Sequence, residues 1–135
     1  LGRAAGGGFY EYDEKHKQLW PRLREHFPPC ENPVSQEEMI ERMLFVQALD
    51  TVRCYEENVL TSIADANIGS ILGWGFAPFK GGTLQFINDY GVKAFADRSH
   101  ELAIKYGDRF VPPQMLNEMA EKGESFTSNK VEINK

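Results

Sequence analysis

A chain of 135 residues falls within the size of one domain, long enough to bury a real core and too short for two domains of ordinary size. Its 41% hydrophobic and 26% charged residues make a globular composition and exclude a low-apolar, highly charged disordered chain. A net charge of −5 with no basic cluster argues against a nucleic-acid partner, which needs Lys and Arg gathered on one face.

In chain order, residues 1–12 read as a glycine-rich lead into the aromatic cluster Phe9-Tyr10-Glu11-Tyr12, an extended or looped arm. Lys17 to Phe27 carries Leu19, Trp20, Leu23 and Phe27 at helical spacing, and Pro28-Pro29 ends this short amphipathic helix. Ser35 with Glu38 three residues on forms a capping-box pattern, so a long helix should start there and run to about Leu60. Its apolar positions, from Met39 and Ile40 through Met43, Phe45, Leu49 and Val52, cover more than one stripe, which predicts a helix surrounded by others. Ser62 to Leu72 forms the next helix, with Gly69 inside it explained by close packing against a neighbour.

Residues 73–82 then read as a loop in which Trp74, Phe76 and Phe79 alternate with Gly and Pro. A short helix over Thr83 to Tyr90, with Leu84 and Ile87 inward, ends at Gly91. The clearest amphipathic helix follows, placing Val92, Phe95, Ala96, Ser99, Leu102, Ala103 and Tyr106 on one face and ending at Gly107. Pro112-Pro113 suits the first turn of a last helix with Met115, Leu116, Met119 and Ala120 inward and Gly123 as terminator. Ser125 to Lys135 has little left to bury, no stretch alternates long enough for a strand, and the expected architecture is an all-α helical bundle.

Cys30 and Cys54, far apart and in no metal-ligand pattern, are expected to be reduced, buried thiols. The longest apolar-leaning run, Ile68 to Phe79, is broken by glycines and a proline, well short of a membrane span. The chain begins at Leu1 with no secretory pattern, so a piece of a longer, cytoplasmic protein is expected.

No catalytic set emerges. His16, His26 and His100 lack partners at metal-ligand spacing and read as surface histidines; His100 beside Asp97 and Glu101 lies on the outer face of a helix. The glycines at 73, 75, 81 and 82 fit neither a dinucleotide fingerprint nor a P-loop and read as a structural turn. Ser99 on an apolar face is explained by a bond back to its own helix. The aromatic surplus is the remaining signal: Phe9, Tyr10, Tyr12, Trp20, Trp74, Phe76 and Phe79 are the interface candidates, able to form an inter-domain seam.

The run Asp65-Ala66-Asn67-Ile68-Gly69, followed by Gly73-Trp74-Gly75-Phe76-Ala77-Pro78-Phe79-Lys80-Gly81-Gly82, resembles the C-terminal helical domain of 3-hydroxyacyl-CoA dehydrogenases, whose fold is like the C-terminal domain of 6-phosphogluconate dehydrogenase. Tyr106-Gly107-Asp108-Arg109-Phe110 with Pro112-Pro113, then Gly123-Glu124-Ser125-Phe126, resembles the extreme end of the multifunctional enoyl-CoA hydratase/3-hydroxyacyl-CoA dehydrogenase chains of fatty-acid β-oxidation. Gly2-Arg3 through Gly8-Phe9-Tyr10-Glu11-Tyr12 resembles the tail that closes the catalytic helical repeat there.

The resemblance implies three parts: residues 1–34 as the tail of a preceding repeat, 35–126 as the second helical repeat, and 127–135 as a flexible tail. It implies a parent oxidoreductase using NAD, with this fragment binding no cofactor and carrying no catalytic residue. Its partners would be the preceding catalytic repeat and the Rossmann domain, packed as a pseudo-dimer. Where the catalytic repeat has an Asn-Arg-Leu-Leu pattern, this chain reads Glu41-Arg42-Met43-Leu44, so Glu41 stands in place of the asparagine. The competing expectation is a free-standing helical module that self-associates, a homodimer as an isolated fragment, outside any enzyme.

Overall fold

The computed structural model describes residues 2, 4, 7–12 and 16–127, and the chain divides into two compact units between Ser35 and Gln36. The expected tail 127–135 lies outside the described residues apart from Thr127.

In the first unit, strand β1 (Tyr10–Tyr12) pairs antiparallel with β2 (Lys17–Leu19), Tyr10 opposite Leu19 and Tyr12 opposite Lys17. The helix expected over 17–27 is reduced to α1 (Leu23–His26). Pro21 is the physical reason: it removes an N–H and biases the residue before it to extended backbone, so Lys17–Leu19 pairs as a strand and Trp20 donates its N–H to the Phe9 carbonyl at 3.0 Å. No described side chain in this unit is buried.

The second unit holds α2 (Gln36–Glu56), α3 (Ile63–Trp74), α4 (Thr83–Tyr90), α5 (Val92–Tyr106) and α6 (Gln114–Lys122), with 3₁₀ turns at Pro78–Lys80 and Asp108–Phe110. The described fold is an all-α bundle, the two-stranded ribbon aside. Ser62 caps α3 by accepting the Asp65 N–H at 3.2 Å, and Gly75 ends it in left-handed backbone at φ 79°. Pro113 stands at the N-cap of α6, one residue ahead of the expected first turn, and Gly123 closes the helix at φ 67°.

Packing runs α2 on α4, α4 on α3 and α5, and α5 on α6. Phe45 of α2 is fully buried, stacked on Phe95 of α5 at 4.0 Å and edge-on to Phe86 of α4 at 5.9 Å, so one aromatic cluster ties three helices together. Leu84 and Ile87 point inward as expected, and Ser99 donates to the Phe95 carbonyl at 2.8 Å.

Three expectations change. The N-terminal part of α2 is not surrounded: Met39, Ile40 and Met43 are exposed, while Glu38 and Glu41 of the same turns bond α5 and Tyr90 of α4. Cys30 is exposed and Cys54 half-buried, since Cys30 lies in the unit that has no core. The end of the chain does bury something: Phe126 is 4% exposed against Tyr55, held by Asn88, which donates to its carbonyl at 2.7 Å and accepts its N–H at 2.9 Å.

Candidate functional site

The glycine-rich segment after α3 forms a corner in which side chains of α3 bond the first N–H groups of α4, while the buried Thr83 hydroxyl has no partner among the described residues. Asn67 of α3 accepts the N–H groups of Leu84 and Gln85 at 2.9 and 3.1 Å, and the Ser70 hydroxyl accepts that of Thr83 at 3.3 Å. These are the otherwise orphaned donors of the first turn of α4, so that helix end is capped from a neighbouring helix and offers no cradle to a phosphate. Gly82 sits at φ 105° with the position of a Cβ only 2.5 Å from Asn67, so the close approach itself requires glycine. Asn67 was visible in the motif, but its role as a cap for a helix sixteen residues later had no local signal.

A second polar constellation joins α2 to α5. Arg98 grips Glu41 through Nε at 3.1 and 3.2 Å and Nη2 at 2.7 Å, while its Nη1 reaches Glu101 at 2.6 Å. The Tyr90 hydroxyl donates to Glu41 at 3.3 Å. Burial first, then the adjacent Glu41 charge, raises the Tyr90 pKa above its usual value, and the two carboxylates raise that of Arg98 further. One turn earlier Glu38 bonds Lys105 at 2.7 Å and the Tyr106 hydroxyl, which holds the carboxyl below the usual glutamate range. The Arg42 guanidinium lies over the Tyr106 ring, 3.8 Å from its centre.

Glu41 therefore has both oxygens committed to a structural clamp. At the position where the resemblance substitutes it for asparagine, the side chain is tied to α5 rather than presented for contact with a substrate.

The interface candidates divide by unit. In the first, Phe9, Tyr10 and Tyr12 are exposed and Trp20 half-buried; Phe9, Trp20 and Phe27 line a shallow recess of about 250 Å³, Phe9 edge-on to Phe27 at 5.6 Å. In the second, Trp74 is exposed on α3 with its indole N–H donated to Gln47 at 2.9 Å, and Phe79 is 84% exposed. Phe76 is a correction: it is 1% exposed, packed on Phe86, and belongs to the core. The left-handed Gly75 reverses the chain after α3 and turns Phe76 inward, its N–H donated to the Ser70 carbonyl.

Among the described residues, the remaining chemistry-bearing groups form no reacting set. His100 bonds Asn117 at 3.1 Å; because the Asn117 amide nitrogen faces the Pro112 and Pro113 carbonyls, its oxygen faces the ring and Nε2 is the donor. Among the described residues no three His, Cys, Asp or Glu side chains gather as metal ligands, and no helix is long and apolar enough to cross a membrane. A scan against protein-family models finds none that matches the chain.

Proposed function

We propose that this chain is an accessory helical repeat of an NAD-dependent 3-hydroxyacyl-CoA dehydrogenase of fatty-acid β-oxidation, in a cytoplasmic setting, which supports the catalytic repeat without reacting itself. The observation that carries the proposal is the commitment of Glu41 to Arg98 and Tyr90 at the position expected to hold a substrate-facing asparagine. A carboxylate clamped across two helices stiffens the repeat, and stiffness is what a buttress supplies, since misplacing reacting groups by about 1 Å can cost on the order of 100-fold in rate. The NAD and the residues that transfer hydride would belong to the upstream part of the parent chain.

Deleting residues 35–126 from the parent protein tests the reading. The expected result is a lower melting temperature together with a fall in kcat/KM; unchanged turnover and stability would refute it. Tight NAD binding by the isolated chain in a titration would refute it from the other side. A self-associating module is the second reading, favoured by the outward face of α3.

A further inference from the structure

Between the first turns of α2 and the 3₁₀ turn at Asp108–Phe110 lies an open groove of about 340 Å³, lined by Met39, Arg42, Met43 and Val46 of α2 and by Arg109 and Phe110. Its floor is apolar. Phe110 is buried and Val46 half-buried, and the two methionines are exposed, with flexible side chains that adapt to what covers them.

Two guanidiniums border this floor without a counter-charge, a local exception in a chain of net charge −5. In the described chain Arg22, Arg53 and Arg98 each hold a carboxylate, whereas Arg42 and Arg109 hold none. Glu38, one helical turn before Arg42 and its natural partner at that spacing, is bonded to Lys105 and Tyr106 instead. Arg42 is held over the Tyr106 ring, and its Nε is buried with no acceptor among the described residues, a condition folded proteins rarely leave unmet. Arg109 is exposed, and the turn that carries it is fixed by Arg53, whose Nη2 donates to the Arg109 and Val111 carbonyls at 3.0 and 2.9 Å. Both cations thus stand on fixed backbone, and neither has to leave a protein carboxylate before it meets an anion.

This juxtaposition selects a ligand by its chemistry. Planar guanidiniums match the two oxygens of a carboxylate, while the methionine and valine carbons between them suit an alkyl chain and penalise a further polar group. The groove lies at the lower end of the roughly 300–1,000 Å³ of small-molecule sites, so the chain is short. We infer that the groove binds a short straight-chain alkyl carboxylate, its carboxylate between Arg42 and Arg109 and its chain along Met39, Met43 and Val46. The inference does not rest on the dehydrogenase reading, since it uses only this groove.

Isothermal titration calorimetry of the full chain with sodium octanoate, kept below its micelle-forming concentration, tests it. Octanoate is expected to bind at one site, and Arg42→Gln and Arg109→Gln each to raise its Kd at least about tenfold. Arg24→Gln, at an exposed arginine of the first unit, removes the same charge and should leave the Kd unchanged. Octylammonium, which reverses the charge, and acetate, which lacks the chain, should each bind at least about tenfold more weakly than octanoate. Melting temperatures check that the variants fold; because Arg109 is exposed, Arg109→Gln decides the matter if Arg42→Gln does not fold. Absence of octanoate binding overturns the inference. So does a Kd indifferent to Arg109→Gln, one raised as much by Arg24→Gln, or equal binding of octylammonium or acetate. A dimer of the octanoate-free chain that Arg109→Gln dissociates would assign the groove to a second copy and overturn it as well.

Discussion

At the scale of single residues, the side chains that matter most join helices distant in sequence. Asn67 satisfies two N–H groups of α4, and Gly82 lets the two backbones approach. Replacing Asn67 with Ala is expected to cost about 1–2 kcal/mol by removing the cap. Gly82→Ala should cost more, about 2–3 kcal/mol, because a Cβ meets Asn67 and the backbone is held at positive φ. Urea denaturation of the three proteins ranks them. Arg98→Met leaves Glu41 without its main partner; both side chains are largely covered, so the loss should fall at about 1–2 kcal/mol, between exposed and fully buried pairs. An unchanged denaturation midpoint for Arg98→Met would show that the clamp contributes nothing.

At the scale of elements, the junction of α2 with α5 carries the pH dependence. Glu38 is lowered by its bonds to Lys105 and Tyr106, so the unfolded chain holds a proton there more tightly than the folded chain. The contact therefore stabilises above the ordinary glutamate value of about 4.3 and is lost as the pH falls through the lower folded value. Lys105 is raised by the same bond, so its share is present below about pH 10.4 and is lost as the pH rises through the higher folded value. Melting temperatures of wild type and Glu38→Gln should differ at pH 7 and converge on acidification towards pH 3; a gap that persists in acid would contradict the assignment. Salt should narrow the gap at neutral pH, as Glu38 and Lys105 are reached by solvent.

Helix limits were legible because their signals are local. Thr83–Tyr90 and Val92–Tyr106 fall where the apolar spacing and the glycines at 91 and 107 put them, and Ser62 caps α3 within its own turn. Lys17–Leu19 went the other way: helical spacing was present, but Pro21 and a partner strand outweighed it.

At the scale of the whole molecule, every buried side chain among the described residues lies between Phe45 and Phe126. A piece of about 35 residues cannot bury enough surface to stand by itself, whereas the remainder has an aromatic core of its own. A chain trimmed to residues 36–127 should keep its helical circular dichroism and melt within a few degrees of the full chain. Phe126→Ala in either form should cost about 3 kcal/mol, since it removes the ring packed on Tyr55 and opens the end of the core. A trimmed chain that loses cooperative unfolding would place part of the core's stability in the first unit.

The amino-acid sequence alone determined the helical class, most helix limits and the inward set of α4 and α5, because periodicity, caps and terminators act within a turn or two. Tertiary structure alone decided how the aromatics divide, with Phe76 in the core and Phe79 in the open, and which carboxylate Arg98 holds. It also left Ile68 and Leu72 of α3 exposed. Those outcomes depend on which helices meet, and Glu41 and Arg98, 57 residues apart, carry no mark of each other until α2 and α5 pack.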